Sequence, residues 1–417
     1  MNIRYILTAI RTFGIRGIVD YILRKPKEYA FQRYLKSTLR TCPPERGITL
    51  IACFDFPGSL SKVMRDLALM LKRTGIPYQT LNRPCKKSIP MSEMEYFMTP
   101  KETFHINKYS HIITMRDPFQ SPDKRCNVHC IEFWEFDDGF IEFCPETLIA
   151  KNILAFSDFN LKVFRKLLPV TINLRKLLYP FQFIHNELPP VDLTRQKYCI
   201  DPKDFTVFFN FDYDSSYFRK NPEGILLAFA KSLGSMENTK IIFKTMRAQK
   251  CKAMSDRLYA FAKKLGLDNK LVTIDDFIPQ EDLVALTNAC DVYISLHRGE
   301  GFGLGIAEAM SLGKPVITTN YSASTEFCNT NNSIPISYEM VRVMPDEIDI
   351  EAYNDVTMWA EPDYNAAAEA LLKLYNDPDL RISIGNAAKK FIDEYFSAEN
   401  FKKSVEAILD DNHEILY

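Results

Sequence analysis

Across residues 291–319 the sequence DVYISLHRGEGFGLGIAEAMSLGKPVITT sets two short apolar runs around a glycine-crowded turn and one helical stretch. Few folds accept such a unit. Residues 291–296 are rich in β-branched and aromatic side chains and predict a buried strand. Gly299, Gly301, Gly303 and Gly305 then mark a backbone that turns sharply and lies close to something. A helix follows, with Gly313 as its left-handed stop, and residues 315–319 resume as a second buried strand. Strand, helix and strand in this order form one unit of a parallel sheet.

Two carboxylates share the unit. Glu300 lies in the loop and Glu308 follows in the helix. The start of that helix offers free amides and a positive dipole to an anion such as a phosphate. The loop carboxylate suits sugar hydroxyls and the helix carboxylate suits a ribose. The run EGFGLGIAE resembles the Glu-x7-Glu motif of the retaining glycosyltransferases of family 4. The resemblance implies an α/β chain with the GT-B fold, two Rossmann-like parallel-sheet domains facing a cleft. It also implies that Glu300 orients the donor sugar and Glu308 binds ribose. Gly301, Phe302, Gly303 and Leu304 would line the donor site.

Composition sets the outer bounds. A chain of 417 residues has room for two such domains, and 46% hydrophobic with 25% charged residues is ordinary for a globular protein. A net charge of −1 gives no general attraction to nucleic acid, so no such partner is expected. No apolar run reaches the ~18 residues of a membrane span, and Arg4, Arg11 and Arg16 break up the apolar N-terminus, against a signal peptide. Ten cysteines are scattered without a framework, which suits a reducing, cytoplasmic compartment. Cys126, His129 and Cys130 fall in an apparent strand without a second ligand pair, so they read as buried groups rather than a metal site.

Residues 1–46 differ from the rest, with ten Lys or Arg against three Asp or Glu. Ile3, Ile6, Leu7 and Ile10 fall at helical spacing and predict a basic amphipathic helix. Such a helix lies on an anionic membrane surface, or packs on the protein's own flank or on a partner. Residues 47–185 read as the first Rossmann-like domain. A strand over 48–54 leads through a loop holding Gly58 and Ser59 to a helix over 60–72, closed by Gly75. One glycine in that loop is not the dinucleotide fingerprint, which argues against NAD. Further strands are predicted over 111–115, 128–136 and from 153, and the proline-bearing 186–193 reads as linker. Residues 191–396 read as the second domain. It holds strands over 205–211, 240–244 and 271–274, and a helix entered at Asn221-Pro222. Helices over 253–265 and 281–289 complete an alternating order that means parallel sheet. Residues 397–417 predict a last helix, which in GT-B proteins crosses back onto the first domain.

The resemblance runs from about residue 48 to 417 and is nearest a bacterial surface-glycan subset that includes rhamnosyltransferases. Trp134-Glu135, RKNPEGILLAF and MWAEPD carry that nearer likeness. It implies that Glu135 faces the cleft from the acceptor side, and that Gly58 and Ser59 approach donor phosphate or acceptor. In the family at large an arginine and a lysine about six residues later clamp the diphosphate. Position 214, six before Lys220, is aspartate. Arg219 would then substitute, or Lys244 or Arg247 would supply the second cation. Asp212-Tyr213-Asp214 has the spacing of the metal-binding pair of GT-A enzymes. The chain around it has the GT-B pattern, so neither metal nor cofactor is expected. The implied reaction takes a sugar from a dTDP-, UDP- or GDP-linked donor to a glycan or lipid-linked acceptor, in surface polysaccharide synthesis on the inner face of the plasma membrane. Lys220, Arg219 and the helix start stabilise the leaving phosphate. Front-face transfer is favoured over double displacement, for which no nucleophilic carboxylate is evident. A nucleotide-sugar epimerase and a non-catalytic glycosyltransferase-like subunit stay open as alternatives.

Overall fold

A computed structural model describes residues 29–55, 58–83, 98–116, 119–137, 147–148, 150–182, 188–348 and 357–410. The basic amphipathic stretch predicted at the N-terminus lies mostly outside these residues; residues 29–37 are helical. The chain divides into two compact units. One runs to Trp134, resumes over Gly139–Gln182 and takes in the chain from Phe396; the other holds Glu135–Asp138 and Phe183–Tyr395.

The first unit is built on a parallel sheet of β1 (Glu45–Ala52), β2 (Tyr78–Asn82), β3 (Tyr109–Met115), β4 (Asn127–Ile131), β5 (Asn152–Ala155) and β6 (Asn173–Lys176). Their order is β2-β1-β3-β4-β5-β6. Ile48, Leu50, Ile112, Ile113, Ile131, Ile153 and Leu154 are fully buried, as continuous apolar runs in a covered parallel sheet should be. Helix α1 (Ser59–Thr74) returns from β1 and buries Val63, Leu67 and Met70 along one face. It ends at Gly75, whose φ of 72° lets its amide reach back to Lys72. Helix α2 (Asp158–Leu167) is capped by Ser157, which accepts from the Asn160 amide.

Several expectations for this unit are corrected. β4 stops at Ile131, so Trp134 and Glu135 lie beyond the strand. The β3 ladder ends at the Met115–Ile131 pair, after which Arg116 turns to φ 50° and leaves β4 no further edge. β2 and β6 were not foreseen; β6 is the polar run NLRK, without the apolar signal of a strand. Cys53 is disulfide-bonded, so the ten cysteines are not uniformly thiols. Cys126 and Cys130 are buried and free, and burial pushes the Cys126 thiol up to about 11.

The second unit has β7 (Phe205–Asp212), β8 (Thr239–Met246), β9 (Leu271–Ile274), β10 (Val292–Ser295), β11 (Val316–Thr319) and β12 (Ile334–Ile336), all parallel. The order is β12-β11-β10-β7-β8-β9. From β7 the chain works outward to β9, then returns to the other side of β7 and works outward again. Its direction therefore reverses between β7 and β10, and the carboxyl ends of those two strands border the crevice where open α/β sheets bind ligands. The helices are α3 (Val191–Lys197), α4 (Tyr217–Lys220), α5 (Pro222–Ser232), α6 (Lys252–Lys264), α7 (Gln280–Ala289), α8 (Leu304–Ser311), α9 (Tyr364–Asn376) and α10 (Pro378–Tyr395). Part of the predicted linker is thus helical: Val191 opens α3, which packs on α7. An antiparallel pair of β13 (Tyr338–Arg342) and β14 (Met358–Pro362) was also missed, because YEMVR has no clean alternation and four of its five side chains are exposed.

Helix α11 (Ala398–Leu409) belongs to the first unit, where it buries Phe401, Val405 and Ile408 and packs on α1. Its end is tied down by Arg46 to Asp410 at 2.6 Å and by Arg175 to the Ile408 carbonyl at 3.3 Å.

Candidate active site

At the carboxyl end of β7 the backbone enters a short, strained passage. Ser216 has φ 66° and its hydroxyl accepts from the Arg219 amide, starting α4. Asn221 has φ 54°, ends α4 and caps α5 through the Gly224 amide at 3.1 Å. Two non-glycine residues in the left-handed region on either side of a four-residue helix cost conformational energy, and such strain gathers where a site must be held in one geometry. The passage is anchored by aromatic packing, with Tyr213 and Tyr217 stacked at 5.9 Å and Phe211 edge-on to Tyr213 at 4.9 Å.

At the end of β10 the glycine loop begins. A carbon added at Gly299 would come within 2.5 Å of the Phe136 ring and 2.8 Å of the Glu135 carbonyl, which explains the missing side chain. Ser322, itself at φ 63°, accepts the Glu300 amide at 2.8 Å, and the Ala323 amide reaches the Glu300 carbonyl at 3.2 Å. Gly303 takes φ 93° and opens α8 without a side-chain cap, so the first-turn amides face whatever anion arrives. Phe302 is buried against Phe327, with ring centroids 5.4 Å apart, and braces the loop from within.

The two passages meet in an ion pair. Lys220 Nζ lies 2.5 Å from Glu300 Oε2. Burial lowers the Lys220 ammonium, opposed by the Glu300 charge. Burial alone would raise Glu300, but Lys220 and Arg219 together hold its carboxyl at about 2, so it is ionised at neutral pH. Arg219 is 3% exposed. It donates to the Gly299 carbonyl at 2.8 Å and to the carbonyl and hydroxyl of Ser215 at 2.7 and 3.1 Å. Its charge also lies 3.8 Å from Glu300 and 3.9 Å from Glu135. Arg219 is thus turned toward backbone groups with its charge close to both carboxylates.

Other expected members have partners of their own. Glu308 accepts from Gln280, the first residue of α7, at 3.1 Å. Both Glu300 and Glu308 act on the buried Tyr293 phenol, which burial and these two charges keep protonated. Lys244 sits in β8, 5% exposed, donating to the Thr245 carbonyl at 2.8 Å; its charged neighbours are Asp275, Asp212 and Asp276. It makes no described contact with the Lys220–Glu300 pair. Arg247 binds Asp212 and Asp214 at 2.9 and 3.0 Å, and Lys250 binds Asp214 at 2.6 Å, so the Asp-x-Asp pair is already neutralised. Gly58 stands before α1 in the first unit, and Ser59 opens that helix.

Sequence reasoning missed His297 and Arg298. His297 is fully buried, bonded to Ser295 at 3.1 Å and to the Tyr321 carbonyl at 3.3 Å, and burial pushes its imidazole down to about 4. Arg298 is bonded to Glu361 and to the backbone of α4. The available signal was two polar residues breaking an apolar run just before the glycines.

Gly305, in the first turn of α8, has a structural role. An added carbon would lie 2.5 Å from the Tyr293 hydroxyl and 2.8 Å from Asn210 Oδ1, the partners of a 2.9 Å hydrogen bond. Gly305→Ala gains about 1 kcal/mol of helix propensity but loses about 1–3 kcal/mol to overpacking. A thermal midpoint below that of the wild type is expected from calorimetry.

Two six-stranded Rossmann-like units, with the second carrying a site at its strand reversal, define the fold as GT-B. Residues 195–334 match the family model for glycosyl transferases group 1, a stretch that runs from β7 to the start of β12 and holds Arg219, Lys220, Glu300 and Glu308. Among curated proteins the chain is similar to N-acetyl-alpha-D-glucosaminyl L-malate synthase of Bacillus anthracis, at 24% identity over 49% of this chain and 53% of that one. The chain thus spans about half the length of this relative. Among solved structures it is similar to Anabaena Alr3699/HepE in complex with UDP and glucose, with TM-score 0.60 and 14% identity over 88% of this chain and 100% of that one. It is also similar to WaaG, a glycosyltransferase involved in lipopolysaccharide biosynthesis, with TM-score 0.56 and 15% identity over the same shares.

Proposed function

We propose that the chain is a retaining glycosyltransferase of family 4, moving a sugar from a nucleotide-diphosphate donor to a glycan or lipid-linked acceptor. The observation that carries this reading is the Lys220–Glu300 pair at the strand reversal, beside an uncapped helix start. A donor diphosphate supplies the anion that both the Lys220 ammonium and the α8 amides accept, and its arrival frees Glu300 to bond sugar hydroxyls. Glu308, steadied by Gln280, takes the ribose. The leaving phosphate is stabilised by Lys220 and by the field of Arg219, and transfer needs no metal because these cations supply the charge. Glu300 has an oxygen committed to Lys220, which suits an orienting group better than a nucleophile, so front-face transfer is the favoured route. Glu135, within the field of Arg219, is assigned to the acceptor side.

A UDP-sugar is the first donor to test, given the UDP bound by the Anabaena protein, with dTDP- and GDP-sugars as competitors. The likeness to WaaG supports a place in surface polysaccharide synthesis. No described helix is long and apolar enough to cross a membrane; peripheral attachment through the basic N-terminal residues, on a cytoplasmic face, is part of the proposal.

Thermal unfolding in the presence of UDP, GDP and dTDP tests the reading. At a hundredfold excess over its Kd one nucleotide is expected to add about 2.7 kcal/mol to the native state, and Glu308→Ala to lose most of that gain. A flat response of the wild type to all three nucleotides and their sugars overturns it.

A further inference from the structure

The Lys220–Glu300 pair joins two chain segments, α4 and the glycine loop, and a single side chain spans both. Arg298 directly precedes Gly299. Its amide donates to the Arg219 carbonyl at 2.8 Å and its guanidinium to the Phe218 carbonyl at 3.1 Å, so it is bonded twice to the backbone of α4. The other edge of the guanidinium meets Glu361 of β14 at 2.5 and 3.1 Å, and Glu347 lies 3.3 Å away. The plane lies 4.6 Å over the buried Trp359 ring. The Ala360 amide closes on the Arg298 carbonyl at 3.0 Å.

A second chain of bonds reaches the same carboxylate from the other end of α4. Asn221 Nδ2 donates to the Leu296 carbonyl at 2.9 Å and to Tyr364 Oη at 3.1 Å, and Tyr364 in turn donates to Glu361. Gly224 permits this approach, since a carbon there would collide with the Tyr364 ring. Residues on both sides of the ion pair therefore converge on Glu361, which no part of the proposed chemistry uses.

We propose that Arg298 is a positioning residue, with Glu361, Tyr364 and Asn221 as its support, and that together they set the spacing between α4 and the glycine loop and so the Lys220–Glu300 geometry. For catalysis this rests on the donor-site reading given above; the geometric claim does not. Arginine is needed because its side chain serves the Phe218 carbonyl, the Glu361 carboxylate and the Trp359 face at once through one planar fork, while the main-chain bond to Arg219 is open to any residue. A lysine keeps the charge and loses the rest.

The test is acetylation of the full chain by a limiting acetylating reagent, with the rate at Lys220 read by mass spectrometry against Lys231 and Lys252. In the wild type Lys220 is expected to react slowly, being paired. In Arg298→Lys its relative rate is expected to rise about tenfold, the equivalent of losing about 1.4 kcal/mol of pairing. Tyr364→Phe, nearly unchanged in volume, is expected to raise it about threefold, the equivalent of about 0.65 kcal/mol. A purely structural role lowers the thermal midpoint and leaves the relative rate within twofold. That result in a folded Arg298→Lys protein overturns the proposal; should that variant fail to fold, the same result in Tyr364→Phe overturns it. Adding UDP to the wild type separates the two readings: protection of Lys220 supports the donor site. Absence of protection counts against the donor site while the variant rates still decide the role of Arg298.

Discussion

Lys220→Met is expected to destabilise the second unit by about 3 kcal/mol. The cause is what the mutation leaves behind. Glu300 keeps an ionised carboxylate with a side chain only 16% exposed, and its nearest remaining cation, Arg219, stands 3.8 Å away with its donors directed to backbone. Breaking one side of a buried pair strands the other charge, whereas removing both sides does not. Lys220→Met combined with Glu300→Gln is therefore expected to recover more than half of the loss. Urea unfolding of the wild type, the two single variants and the double variant measures this as a coupling energy. Additive losses would mean that the 2.5 Å contact carries no energy. Nucleotide-induced stabilisation is expected to vanish in the Lys220 variant and to stay absent in the double variant, since restored stability does not restore the cation.

Acid is expected to destabilise the protein from about pH 6.5 downward, beginning above the range in which ordinary carboxylates titrate. His297 is held down to about 4 by burial, and His129 to about 3 by burial and by the nearby His111 and Arg175. Their ordinary value is 6.5. As pH falls from 6.5 toward 4 and then 3, the unfolded chain takes up protons that the native state refuses, so stability present above 6.5 is lost through this window. His297 alone accounts for roughly 3 kcal/mol of that loss and His129 for somewhat more. Glu300, depressed to about 2, acts in the same direction at lower pH: its contribution is full above its usual 4.5 and lost as pH falls toward 2. Thermal midpoints between pH 7.5 and 4 are expected to drop steeply. His297→Asn, which keeps a polar group without the titration, is expected to flatten the part of that drop belonging to the second unit. An unchanged profile in this variant would remove His297 as a cause.

The parts of the molecule legible from sequence were those whose signals are local. The glycine spacing, the two apolar runs and Gly313 predict the strand, loop, helix and strand over residues 291–319, and φ angles of 93° at Gly303 and 72° at Gly313 show why those residues are glycines. Asn221 as a cap was readable for the same reason: an asparagine before a proline at a helix start serves its own neighbours. Burial and long-range contact were not readable. Arg219 carries the right charge for a phosphate, yet its donors are turned toward Gly299 and Ser215, which only the fold brings near. Lys244 looked equivalent in sequence and lies in a separate group with Asp212 and Asp275. Arg298 owes its geometry to Glu361, whose strand partner is so exposed that its pattern announces no strand. Glu135 was placed in a strand because an apolar run continued; the ladder had already lost its edge at Ile131.

The return of α11 to the first unit has a consequence for synthesis on the ribosome. The face of α1 that Phe401, Val405 and Ile408 help to cover stays open while the whole second unit is translated. Domains made of one continuous stretch can finish in the order in which they emerge, but this one closes last although it begins first. The nascent chain therefore carries an unfinished apolar surface through most of its elongation, and chaperone capture before residue 398 should exceed capture after residue 409.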